Sequence, residues 1–248
     1  MEDLQENEDM IILENQINTT NEKSEAIAHK DNALKRLDVS FNKHIESAEY
    51  KKSNILAYWV KDFASYHDNE KTFNPNSLKT FKRGDIIKVN LGFNIGNELG
   101  GLHYCVVLDK RDNPYNGNLN IIPLSSAKET KEFNTSTCID LGDELYTSLN
   151  NKLKKEFVLV SNKLHDLYSN LSKEETSDEI NLISDRIKYL KKMELELSKM
   201  KHGSFALIHQ ITTISKQRIY KTPFLSGIKL SNTGLDLIDS KIIEMFTK

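Results

Sequence analysis

From Asn32 to Tyr66 apolar side chains recur at Leu34, Leu37, Phe41, Ile45, Ala48, Ile55, Trp59 and Phe63, mostly at steps of three or four. That spacing sets them on one face of an α-helix, and no Gly or Pro interrupts the stretch. Asn74-Pro75-Asn76-Ser77 ends it. Such a stripe must be buried on the following residues or on another chain, and Trp59, lying on it, reads as a core residue. Helical spacing returns over 144–201. Leu145, Leu149, Leu153, Phe157, Val160, Leu164 and Leu167 come first; after the polar break 171–179, Ile183, Ile187, Leu190 and Leu197 resume the period. The two halves predict an αα-hairpin with a charged outer face, open to antiparallel coiled-coil packing.

Elsewhere the pattern is that of strands. RGDIIKVNL (83–91) is a turn and a short strand, GFNIGNELGG (92–101) a Gly- and Asn-rich loop, and HYCVVLD (103–109) a β-branched run. NPYNG (113–117) is a turn and LNIIPL (119–124) a third strand. Close spacing with Gly-rich connections predicts a small antiparallel barrel or sandwich. SFALIHQITTI (204–214) reads as a further strand, and Ser231-Asn232 as the start of a last helix carrying Leu235, Ile238, Ile242 and Phe246. The expected organisation is an acidic leader (1–31), a helical extension (32–80) and a β-rich domain (81–248) interrupted by the hairpin 144–201.

Composition narrows the function classes. The 248 residues carry 34 Lys and Arg against 36 Asp and Glu, a net charge of −2. Near-neutrality argues against a bulk electrostatic nucleic-acid binder and leaves room for a local basic groove. Eight acidic residues and one lysine in 1–25 predict a poorly ordered leader. The apolar runs fall far short of the roughly 20 residues of a membrane span. Met1-Glu2-Asp3 does not begin a secretory signal. Cys105 and Cys138 form neither a disulfide framework nor a metal cluster. A soluble, cytoplasmic chain without membrane, metal or other cofactor is expected.

No GxxxxGK[ST], HExxH, GxSxG or CxxC motif is present. What remains lies at strand ends and loops: Asn94 and Asn97, His103, Ser125-Ser126, Gln210, Lys216 and Arg218. Each also has a plain structural reading. The asparagines form turns, Ser125 caps a strand end, Gln210 satisfies a buried backbone group, and Lys216 and Arg218 are solvated cations that would also suit phosphate.

RGDIIKVNLGFNIGNELGGLHYCVVL (83–108) and NLNIIPLSS (118–126) resemble the MazF/PemK family of toxin endoribonucleases. That family opens with a GD-containing strand and a GSEQGG-type loop, and a later strand ends in Thr or Ser. SFALIHQITTISKQRI (204–219) is similar to another of its strand-and-loop segments, and 233–247 to its last helix. The first 80 residues and the hairpin lie outside the resemblance. The resemblance implies an α+β fold: an SH3-like small β-barrel (MazF/CcdB-like) with a C-terminal helix. It further implies a homodimer, an antitoxin partner, and metal-independent cleavage of single-stranded RNA by 2′-hydroxyl attack on the adjacent phosphate. The same fold houses gyrase poisons of the CcdB type, so fold alone leaves function open.

Carried over by motif position, the family's Arg falls on His103, its Pro on Tyr104, its strand-end Thr on Ser125, its loop Ser on Asn97 and its Gln on Gln210. The implied catalytic residues are His103 and Ser125; the implied substrate-binding residues are Asn94, Asn97, Gln210, Lys216 and Arg218. Arginine is a permanent, bidentate cation, whereas histidine titrates near neutrality and suits proton transfer. Two readings stay open: His103 as general acid/base with Ser125 and Asn97 as donors to the phosphate, or an attenuated site on a barrel that binds protein or nucleic acid.

Overall fold

With no Gly or Pro before Pro75, only local capping can stop a helix in the first part of the chain. In the computed structural model, which describes residues 2–127, 133–169, 177–200 and 203–247, helix α1 runs Glu2–Glu46 and α2 runs Tyr50–Asp68. Helix α1 thus starts within the segment read from sequence as an acidic leader. The single helical face expected over 32–66 is broken between Glu46 and Tyr50. There Ala48 adopts φ 57°, the Glu49 N–H donates to the His44 carbonyl (2.8 Å), and the Ala48 N–H donates to that of Ile45 (3.0 Å). This is a left-handed C-cap of the Schellman type with alanine where glycine is usual. The His44 ring clasps the Glu49 carboxylate at 2.7 Å across the turn and holds that carboxyl below its usual range, with Lys52 adding to the effect.

The chain divides into two units, Met1–Phe63 and Ala64–Lys248. In the first, Ile27, Leu34, Ile45, Ile55 and Phe63 are exposed. Trp59 is half-buried and its ring meets that of Phe63 at 6.0 Å.

The second unit combines an antiparallel sheet with helices. Its strands are β1 (Ile86–Asn90), β2 (Leu102–Val107), β3 (Asn118–Ser126), β4 (Cys138–Asp140), β5 (Ser204–Leu207), β6 (Thr212–Ser215) and β7 (Ile219–Tyr220). The sheet order is β4-β5-β3-β2-β1-β7, with β6 also on β3. The segment 204–214, expected as one strand, is interrupted by a 3-10 turn at Ile208–Gln210. Leu124 pairs with Ala206, whereas Asn118 pairs with Ser215, so the turn inserts extra residues along β3. Among the described residues no ladder joins β4 or β6 to β7, and the sheet is open. The closed barrel that the resemblance implies is thus not confirmed: β7 is two residues long and, among the described residues, pairs with β1.

Alternation of side chains fills both faces of this sheet. Ile87, Val89, Cys105, Val107, Leu119, Ile121 and Ile214 pack on one face with Phe81 and Leu91. Ile86, Val106, Ile122 and Leu124 face the other way. They meet Leu145 and Leu149 of α3 (Glu144–Ser169), Met193 and Leu197 of α4 (Ser177–Lys199), and Ile238 of α5 (Asn232–Phe246). The expected hairpin is thus present, and its base belongs to the domain core. Farther out, Val160, Ile183 and Leu190 hold its two helices together; its connection, 170–176, lies outside the described residues. Ser231 caps α5 as expected, its hydroxyl accepting the Gly234 N–H at 3.0 Å.

Lys216 differs from its sequence reading. Its side chain is 1% exposed and that of Asp112 is fully buried, with Nζ 2.6 Å from Oδ1. The same ammonium donates to the Asn113 carbonyl (3.3 Å), and the other carboxylate oxygen accepts the Phe81 N–H (3.0 Å). Lys216 therefore fastens the 109–117 turn to the segment before β7 and has no access to a substrate. Removing one partner of such a pair strands a buried charge, which costs about 3–5 kcal/mol. Lys216→Ala is expected to lower unfolding free energy by that order in urea denaturation, and a loss below about 1 kcal/mol would contradict the role.

Candidate active site

The loop 92–101 joins β1 to β2 and is shaped by its own backbone. The Leu91 N–H donates to the Gly101 carbonyl (2.8 Å) and the Gly101 N–H to that of Gly92 (2.6 Å). At Gly100 a Cβ would stand 2.7 Å from the Gly92 oxygen, so this pinch admits only glycine. Asn94, expected as a turn former or a substrate contact, donates Nδ2 to the Leu99 carbonyl at 2.8 Å. Gln210 reaches the loop from the 3-10 turn: Nε2 donates to the Asn97 carbonyl (3.2 Å) and Oε1 accepts the Leu99 N–H (3.1 Å). Gln210 thus satisfies backbone groups and latches the loop. The Asn97 backbone is part of that latch, while its residue is exposed.

His103 sits half-buried on β2, opposite Val89 of β1. The β2–β3 ladder ends at Cys105↔Pro123. Continuing the register by two residues would set His103 opposite Ser125, but no ladder pairing continues there. Instead the His103 ring takes the next carbonyl of β3, with Nδ1 3.0 Å from the Leu124 oxygen. A carbonyl can only accept, so Nδ1 carries the proton, and in the neutral ring Nε2 is the basic nitrogen. Ser125 follows that carbonyl, pairs with Phe205 of β5 and is 7% exposed.

Arg218 approaches the same face of the sheet. Its Nε donates to the Asn90 carbonyl at 2.9 Å, at the foot of the loop. Burial pulls its pKa down, while Tyr66 and the Cys105 thiol oppose the shift. Cys105 lies two residues from His103, so both project from one face of β2, and Arg218 interacts with Cys105 on that face. Burial pushes the Cys105 thiol far up and leaves it inert, with Arg218 countering in part. Asn90 completes the foot of the loop. Its Oδ1 accepts the Gly92 N–H (3.1 Å) and its Nδ2 reaches the Tyr66 hydroxyl (3.4 Å).

Of the residues expected from sequence, His103 bonds the Leu124 carbonyl that Ser125 follows, Arg218 bonds the Asn90 carbonyl at the foot of the loop, Asn94, Asn97 and Gln210 build that loop, and Lys216 lies apart in its buried ion pair. Sequence reading missed Asn90 and Tyr66, which carry no motif. It also missed a cluster on the opposite face of β2, where Glu196 of α4 accepts from Lys88 (2.7 Å) and Tyr104 (3.0 Å). A lysine alternating with apolar residues in IIKVN was the available signal for that cluster. Among the described residues no three His, Cys, Asp or Glu side chains converge as a metal site would require.

This loop, strand and histidine lie within the part of the chain that compares with known proteins. Residues 82–176 match the family of PemK-like, MazF-like toxins of type II toxin–antitoxin systems. The match takes in β1 to β4 and α3 and ends inside the hairpin; β5, β6, β7 and α5 lie beyond it. No curated protein matches the chain. No helix among the described residues is long and apolar enough to cross a membrane.

The latch makes its own prediction. Gln210→Ala removes two hydrogen bonds worth about 1 kcal/mol each while leaving the cores intact. The Leu99 amide is expected to lose hydrogen-exchange protection, with global unfolding changed by no more than those two bonds. Unchanged protection at Leu99 would refute the latch.

Proposed function

We propose that the second unit is a metal-independent endoribonuclease toxin that cleaves single-stranded RNA by attack of a 2′-hydroxyl on the adjacent phosphate. The observation that carries this reading is the bond from His103 Nδ1 to the Leu124 carbonyl. It fixes the ring's tautomer and leaves Nε2 as the proton acceptor. Nε2 takes the proton of the attacking 2′-hydroxyl. The O2′–P bond forms, the P–O5′ bond breaks, and the imidazolium returns the proton to the leaving 5′-oxygen. The products are a 2′,3′-cyclic phosphate and a 5′-hydroxyl, with no net change in protons. General acid–base catalysis of this kind contributes typically about 10²–10⁴-fold.

Histidine at position 103 gives up the permanent cation that the family's arginine would supply at that place. Arg218, held on the same face, supplies it and meets the charge that builds on the phosphoryl oxygens. Ser125 follows the carbonyl that orients His103 in sequence, and its burial leaves it a part in shaping the site and not in meeting the phosphate. Asn94, Asn97 and Gln210 act through the shape of loop 92–101, which would line the RNA path. With this reading come the family's other properties: an antitoxin protein as partner, a homodimer, and work in the cytoplasm.

Burial of Ser125 and Lys216 removes two of the expected polar groups from the surface and favours a second reading, a barrel-like module that binds RNA or protein without cutting. Purified protein incubated with RNA in EDTA separates the two. Cleavage at a recurrent short sequence is expected, falling about 10²–10⁴-fold in His103→Ala and strongly in Arg218→Ala. Cleavage undiminished in His103→Ala would overturn the assignment of the base. RNA retained but never cut by the wild-type protein would favour the binding module.

A further inference from the structure

Over residues 102–104 the strand that carries His103 is in ladder register with β1 and no longer with β3. Its ladder to β1 runs from Ile86↔Val106 to Asn90↔Leu102, whereas its ladder to β3 stops at Cys105↔Pro123. Two side-chain bonds brace this end of β2. One is the His103 ring on the Leu124 carbonyl. The other comes from the opposite face, where the Tyr104 hydroxyl donates to Glu196 Oε2 at 3.0 Å.

That carboxylate oxygen is shared. Lys88, the cross-strand partner of Tyr104 on β1, donates to it at 2.7 Å, and its side chain is 12% exposed. The Lys88 ammonium also lies over the Tyr104 ring (5.2 Å) and the Tyr220 ring (6.0 Å), so one cation ties β1, β2 and β7 to α4. On either side of Glu196 along α4, Met193 and Leu197 are buried in the core. The helix is therefore seated, and its carboxylate is not free to wander. Burial raises the Glu196 pKa, but its bonds to Lys88 and Tyr104 outweigh this and keep it ionised; Lys199 adds to them. Burial, then the Glu196 charge, drives the Tyr104 phenol far above its usual range, so it stays a donor.

We infer that Glu196, contributed by the inserted hairpin beyond the segment that matches the toxin family, is a positioning residue that holds the end of β2 through Tyr104 and so fixes His103 for proton transfer. The inference rests on the reading of His103 as the acid/base. A strand end that keeps one ladder can rock about it, and Tyr104 and His103 are consecutive residues on opposite faces. Pinning one therefore limits the swing of the other. A displacement of about 1 Å at a reacting group is enough to cost about 10²-fold in rate.

Glu196→Gln keeps the shape and weakens the brace, and Tyr104→Phe keeps the ring and removes only the hydroxyl. Each is expected to lower kcat for RNA cleavage in EDTA about tenfold or more with KM within twofold of wild type. The double variant should be no worse than either single one, because both break the same bond. Hydrogen exchange over 102–105 should accelerate in both, a readout that does not need cleavage. Wild-type kcat together with unchanged exchange in both variants would overturn the inference. So would losses that multiply in the double variant. Faster exchange in proteins whose cleavage is indifferent to His103→Ala would retain the brace and discard the nuclease assignment instead.

Discussion

One ladder end governs the geometry around the proposed site. The ladder between β2 and β3 stops at Cys105↔Pro123. β3 continues, paired on with β5, and the Leu124 carbonyl on the β2 side must find another donor, since a buried carbonyl left unpaired is costly. The His103 ring supplies it. A need of the backbone thus chooses the tautomer of a side chain, and the tautomer decides which nitrogen can act as a base. The loop before His103 and the brace behind it both serve this arrangement: Gln210 holds the loop and Glu196 holds the strand.

Charge is placed in the same economical way. Lys216 and Asp112 are both buried and satisfy one another, so they contribute to the fold and nothing to a substrate. Arg218 keeps a cation at the foot of the loop. Its partial burial would strengthen its interaction with a phosphate, because electrostatic effects grow as water is excluded. A chain of nearly neutral net charge can therefore still hold a cation at the foot of the loop before His103.

Much of the fold was legible in the sequence. The strands at 86–90, 102–107 and 118–126, the hairpin helices and the Ser231 cap all follow from periodicity and turn chemistry. Three features were not. The turn at Ile208–Gln210 breaks an apolar run that local pattern reads as continuous, because the break is set by alignment with β3. The helix break at Ala48 is held by hydrogen bonds around a residue that ordinarily favours helices. The end of the sheet at β7 was not readable either, since a two-residue strand is too short to register as a pattern. At the site, His103 stood out through the glycines before it. Lys216 misled because a lysine near a loop is ordinarily solvated, and its anion, Asp112, is more than a hundred residues away in sequence. Glu196 was invisible for the same reason.

The central claim is that backbone geometry presets His103 as a base. Nitrogen-15 NMR of the histidine side chains, with His103 assigned by its substitution, tests it most directly. A neutral His103 ring protonated at Nδ1, with that proton protected from exchange by the Leu124 carbonyl, is the predicted result. A ring protonated at Nε2, or one exchanging freely between tautomers, would contradict it.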